Sequence, residues 1–238
     1  MAKSKTHPVE VRANQVLEKV GIMSNAYFQA LESGQLSKEA FAASQEQFYF
    51  AVSFYSRPMG ILIARLPDSE KRMDILHNMV DEHGDFDNEK SHQSTFQRFL
   101  HSLGRKVDRH TLVSPAVHSF NSVLTSVCAF EEIEIGICCL GIIELAFAEI
   151  SAKIGKATVE RGFVSAPDLV HYTLHAELDA KHADDFFTLV HQAWRRPTRR
   201  VHIEKGLELG AFIFDRLYSE LFLYGLQKAG KGPSLSHV

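Results

Sequence analysis

Residues 135–148 read IGICCLGIIELAFA. The run from Ile135 to Ile143 carries no charge and stops at Glu144. A membrane helix needs about 18–20 apolar residues, so this run is too short to span a bilayer and reads as a buried helix of a globular domain. A lone carboxylate in such company is costly unless it is paired or holds a metal ion. The other possibility is a position on the helix edge that lets Glu144 reach water. The run lies within residues 112–155, which read as one long helix or two, ending at Gly155.

On both sides the apolar residues recur at three- and four-residue spacing, the helical period. Val9 to Leu31 reads as a helix closed by Ser33-Gly34. Ser37 is an N-cap for the next, which runs through the aromatic stretch Phe48–Tyr55 toward Leu66. That stretch reads as core rather than as a substrate cage. Pro67-Asp68 opens a third helix with Met73, Ile75, Leu76, Met79 and Val80 on one side, ended by the residues around Gly84. A short helix spans about Asn88 to Leu103. Ser165 and Asp168 flank a proline in a capping-box pattern and open a helix to about Arg195. Pro197 breaks the chain before a last helix, Val201 to Lys228. No strand pattern, repeat or linker interrupts the series. The expectation is an all-α, single-domain bundle of seven or eight helices over residues 1–238, with 1–8 and 229–238 as frayed tails.

Composition narrows the function classes. The 238 residues include 26 basic and 29 acidic side chains, a net charge of −3. No basic excess exists to replace phosphate counterions, which disfavours nucleic acid as a partner. At 45% hydrophobic and 23% charged residues the chain is not of the disordered class. The first residues, MAKSKTHPVE, lack a secretory signal pattern, and Cys128, Cys138 and Cys139 form no disulfide framework. The expected setting is cytoplasmic, with a small-molecule substrate, no membrane and a homodimeric state. Gly230-Lys231-Gly232 lacks the strand and helix of a phosphate loop. A nucleophile elbow, a zinc H-E-x-x-H and a C-x-x-C are missing. The basic tract Arg195, Arg196, Arg199 and Arg200 reads as a solvated helix end.

Histidine is the unusual residue, at 13. The octapeptide HAELDAKH carries His175, Asp179 and His182, which at about 100° per residue fall within a stripe about 60° wide on one helix face. Two imidazoles and a carboxylate on such a stripe offer a divalent metal two nitrogens and an oxygen. A solvated polar face is the bland reading of the same residues. DEHGDFDNEKSH, residues 81–92, adds two possible pairs. Glu89 and His92 have the i, i+3 spacing of carboxylate-bridged di-iron bundles. Glu82 meets His92 only if the chain breaks at Gly84-Asp85. With Glu144, three segments then contribute acids and imidazoles, a set that suits two iron or manganese ions better than one closed zinc site. Tyr172, about 60° from His175 on the same helix, could face the site as a catalytic residue, as could His171.

These motifs resemble those of the haem-oxygenase-like di-iron oxidases and oxygenases, whose fold is shared with TenA thiaminases and the PqqC enzyme. The likeness covers most of the chain. It begins at ESGQLSKEAFAASQEQFYFAV, residues 32–52, and continues through LHNMVDEHG, a downstream histidine and STFQRFLHSLG. It ends on the central glutamate and H-x-x-x-D-x-x-H. The resemblance implies a haem-oxygenase-like bundle in which Glu82, His92, Glu144, His175, Asp179 and His182 hold two ferrous ions, with Glu89 as the alternative to Glu82. Manganese is the other ion such ligands accept. It further implies dioxygen as co-substrate and oxidation or fragmentation of an amino-acid-like or fatty-acid-like molecule. It implies no haem, since His7 lies before the first helix. The thiaminase branch uses a nucleophilic cysteine within an aromatic motif that surrounds neither Cys138 nor Cys139. One di-iron group makes para-aminobenzoate from its own tyrosine and carries a tyrosine just before the central glutamate. Here that position is Ile143, and the group's N-terminal tyrosine matches Phe28, with Tyr27 one place away. The rival function is a metal-free helical binding protein or a cofactor-independent enzyme like TenA or PqqC. A mononuclear metal hydrolase is a third.

Overall fold

The computed structural model describes residues 7–108 and 110–230. The tails expected at 1–8 and 229–238 lie mostly outside the described residues. His7 and Pro8 do not, and they open the first helix: the His7 imidazole accepts the Val9 amide at 3.2 Å, and Pro8 occupies the first turn.

The seven or eight predicted segments become ten α-helices among the described residues, because turns divide them. The first separates into α1 (Pro8–Val20) and α2 (Ala26–Ser33). Gly21, at φ 74°, takes the left-handed conformation that closes α1, and the Asn25 side chain then caps α2 through the Tyr27 amide at 2.9 Å. The second separates into α3 (Lys38–Val52), capped by Ser37 as expected, and α4 (Ser56–Arg65). Next come α5 (Ser69–Glu82) and α6 (His92–Ser102). The 112–155 stretch is two helices, α7 (Pro115–Phe130) and α8 (Ile133–Glu160), and α8 runs straight through Gly155. The capping box at Ser165–Asp168 is present, but it caps a 3₁₀ turn that leads into α9 (Val170–Trp194). Pro197 does not sit in a gap; it is the first residue of α10 (Pro197–Lys228), where its missing N–H costs nothing. The arginine tract is partly engaged: Arg199 donates to the buried Glu134 at 2.7 Å and Arg200 to Glu204 at 3.1 Å.

α8 is the central element, buried along most of its length. α9 lies against it, and α10 packs on α8 and α3. The α8–α9 approach depends on Gly141: an added Cβ would stand 2.9 Å from Phe186 Cβ and from Phe187 Cε1. Phe186 and Phe187 are fully buried, each worth about 1.5–3 kcal/mol of apolar burial. No helix among the described residues is long and apolar enough to cross a membrane.

Candidate metal centre

The end of α5, the start of α6, the middle of α8 and one stripe of α9 converge on a buried group of acids and imidazoles. On α9 the helical period does what the spacing predicts: His175, Asp179 and His182 all point inward. His175 Nδ1 lies 2.8 and 3.0 Å from the two Asp179 oxygens. His182 Nε2 lies 3.0 Å from Asp81 Oδ2, which turns Nδ1 toward Glu144 Oε2 and Asp179 Oδ1, each 3.8 Å away. Glu144, Asp179 and His182 each offer one ligand atom, and these atoms lie within 4.8 Å of one another.

Glu82 and His92 adjoin this trio. Ser91 caps α6 through the Ser94 amide, so His92 opens that helix. His92 Nδ1 stands 2.9 Å from Glu82 Oε1, an ion-pair distance whose approach misses the hydrogen-bond direction. Its ring lies 4.3 Å from that of His175, centre to centre. Glu89 does not join them. Its i, i+3 relation to His92 needed one helix, but α6 begins only at His92, and Glu89 is exposed in the preceding turn.

The imidazoles keep free nitrogens. His92 Nε2, His175 Nε2, His182 Nδ1 and Glu144 Oε1 are buried without a hydrogen-bond partner. His171 adds another. The Thr95 hydroxyl donates its one proton to the His92 carbonyl at 3.0 Å, so it accepts from His171 Nδ1 at 3.2 Å and leaves Nε2 with an unpartnered lone pair. Native interiors pair nearly all such atoms. Unpartnered ring nitrogens on four histidines and an unpartnered carboxylate oxygen therefore fit a divalent cation of the iron or manganese kind.

The electrostatics agree. Burial lifts the Glu144 carboxyl to about 7, with help from the Asp179 charge and against the pull of His182. Burial also raises Asp179 well above the carboxylate range. His175 is depressed to about 3 by burial and by neighbouring His92. His182 resists burial, because its contacts with Glu144 and Asp81 raise it to about 10. Burial opposes both charges of the Glu82–His92 pair, yet mutual attraction wins: Glu82 is lowered and His92 raised. Without metal, protons compensate the crowded acids, and a metal ion would displace them.

Tyr172 does not face this group. Its hydroxyl donates to Gln45 Oε1, and its ring packs edge-on against Phe99 at 4.9 Å. Its 60° offset from His175 carries it off the stripe and into the aromatic core. The Phe48–Tyr55 stretch is more than core: Phe48, Ala51, Val52 and Tyr55 line a small cavity of about 40 Å³ that opens on Glu82, Glu144 and His175. Sequence reading missed Asp81. One residue from Glu82 on the same helix, it gave no signal of its own, since its partner lies on α9.

Comparison with known proteins gives a concordant picture. The family described as iron-containing redox enzyme matches residues 43–210. A 4-aminobenzoate synthase of Chlamydia pneumoniae is 24% identical over 172 residues, covering 71% of this chain and 75% of the relative. Among solved structures, a CADD-like protein of unknown function from Nostoc punctiforme superposes with a TM-score of 0.75 at 18% identity, over 96% of this chain and 97% of that one. A domain of unknown function with a heme oxygenase-like fold from Shewanella denitrificans gives 0.74 at 14% identity, over 96% of each chain. A TenA homologue from Pseudomonas syringae gives 0.71 at 13%, over 97% of this chain and 96% of that one. At these identities the structural likeness establishes the haem-oxygenase-like fold.

Proposed function

This chain belongs to the iron-containing redox enzyme family, and from that premise we propose that it is a non-haem di-iron oxidase or oxygenase. It would use dioxygen to oxidise or fragment a small organic substrate. The residues that would hold the two ferrous ions are Glu82, His92, Glu144, His175, Asp179 and His182. One observation carries the reading: these six side chains are buried together, and four of them, His92, Glu144, His175 and His182, keep a polar atom with no partner. Manganese suits the same ligands. A small-molecule substrate, a homodimeric state and a cytoplasmic location belong to the same proposal.

The bound irons would supply electrons for reducing dioxygen. The protein's part is positioning and exclusion. Asp81 accepts from His182 Nε2 and so fixes the tautomer that leaves Nδ1 free. Asp179 does the same for His175, leaving Nε2 free. Phe48, Phe147 and Phe214 wall the cavity and keep water from the reacting atoms. The product of the Chlamydia pneumoniae relative is not carried across. Where the para-aminobenzoate group has a tyrosine, Ile143 lies in the cavity wall and offers no hydroxyl.

The test is a titration of the metal-free protein with ferrous iron in the absence of oxygen, followed by air. Close to two irons per chain, with an oxygen-dependent absorbance change, is expected. No iron above background in the folded protein would overturn the reading and favour a metal-free module of the same fold.

A further inference from the structure

Phe120, on α7, serves two spaces. It lines the cavity that holds Glu82, Glu144 and His175. It also lines a surface groove of about 350 Å³ between α7 and α10. The groove is walled by Ala116, Val123, Ile213 and Leu217, with Phe212, 61% exposed, on its rim and the Arg216–Glu220 ion pair beside it. Among the described residues Phe120 is the one that lines both spaces.

That ring is held by packing alone. It stacks on Phe214, with centroids 6.0 Å apart and planes 28° apart. The cavity it borders, at about 40 Å³, is well below the roughly 150 Å³ of a cavity that takes up benzene. An eight-carbon chain does not fit that space while Phe120 stays in place. Turning Phe120 aside would join cavity and groove into one channel leading to the acids and imidazoles.

The chemistry of the two ends differs. Apart from Glu82, Glu144 and His175, the described residues lining the cavity are hydrocarbon, save for Tyr55, whose hydroxyl is already donated to the Leu140 carbonyl at 3.0 Å. No lysine or arginine is among them. The groove is open at the surface and carries both charges of the Arg216–Glu220 pair.

We propose that Phe120 is the gate by which substrate enters, and that the substrate is an amphipathic molecule with an uncharged, apolar reacting end. The apolar end replaces the Phe120 ring in the cavity, and the polar end stays in the groove. This rests on the di-iron reading for what happens to the apolar end, but not for how it gets there.

The test uses the full chain freed of metal, its fold checked by near-ultraviolet circular dichroism, with octanoate and octanedioate as probes in calorimetry. Octanoate has one charged end and can leave it in the groove; octanedioate would have to bury its second charge. Octanoate should bind at least tenfold more tightly than octanedioate. Phe120→Trp should weaken octanoate at least tenfold, and Phe120→Ala should strengthen it. Equal binding of the two probes, no octanoate binding, or no change in Phe120→Trp would each overturn the gate. Ferrous iron is titrated into the same variants: two irons per chain alongside a failed octanoate result sinks the gate and leaves the di-iron reading standing.

Discussion

Two polar clusters lie side by side in the core, and both are built from side chains with almost no exposure. The first joins Tyr27, Ser44, Gln45 and Tyr172. The Tyr27 hydroxyl lies 2.8 Å from Ser44 Oγ and accepts from Gln45 Nε2 at 2.7 Å; Ser44 donates to the Phe41 carbonyl at 2.6 Å; Tyr172 donates to Gln45. Every hydroxyl is partnered. The second joins the acids and imidazoles of α5, α6, α8 and α9, and there His92, Glu144, His175 and His182 each keep an atom with no partner. Burial does not separate the two; completeness does. A finished network holds helices together, whereas the unpartnered atoms of the second are the exception that a bound ion would account for.

The contrast can be broken in several places. The largest effect falls on metal. His175→Ala or Asp179→Ala should abolish stoichiometric iron binding while leaving far-ultraviolet circular dichroism unchanged; iron retained by both variants would contradict the ligand assignment. The next effect is on stability, and its sign should differ between the clusters. Gln45→Leu leaves the Tyr172 hydroxyl stranded and should cost about 2 kcal/mol in urea unfolding, with iron binding intact. Glu144→Leu should stabilise the metal-free protein by about 1 kcal/mol, because it removes a buried carboxyl with an oxygen that has no partner. Were both changes destabilising to the same degree, the distinction between finished and unfinished clusters would be lost. Asp81→Asn comes third, a ten- to hundredfold loss of iron affinity with stoichiometry preserved, read by competition with a chelator.

The smallest effect is the pH dependence of the metal-free protein. His182 is raised from 6.5 to about 10 in the folded state. Above pH 6.5 the unfolded chain releases that proton while the folded chain keeps it, so stability falls as pH rises through this window. Glu144, raised from 4.5 to about 7, acts in the same direction up to neutrality. His175, depressed to about 3, opposes them only below 6.5. Melting temperatures should therefore drop between pH 6.5 and 8, and His182→Gln should flatten the slope. An unchanged slope in that variant would remove His182 as the cause.

The sequence revealed these clusters unevenly. The shared inward face of His175, Asp179 and His182 on α9 was legible because one helical period fixes three side chains at once, and the burial of Glu144 because it is the one charge in its apolar run. The bundle followed from the same period. The turns that split two predicted helices were harder, since Gly21 can sit in a helix or end one. Glu89 misled because its spacing was read on a helix that Ser91 starts later. Tyr172 misled because its partner, Gln45, lies on a distant helix. Asp81 was hidden for the same reason: on α5 it and Glu82 are successive carboxylates about 100° apart, and which of them faces inward depends on helix phase. Long-range pairing of polar atoms is the part of the site that local spacing does not encode.

Gly141 stands three residues before Glu144, where α8 and α9 touch through Phe186 and Phe187. The helix bearing Glu144 and the helix bearing Asp179 and His182 are thus spaced by a residue that never meets a metal ion. The absent methyl acts as a calliper, setting the jaw width that a bound ion would have to match. Discrimination between ions of slightly different radius then becomes a matter of helix spacing as well as ligand chemistry. Gly141→Ala, by opening the jaw, should move the balance from iron toward the larger manganous ion in direct competition.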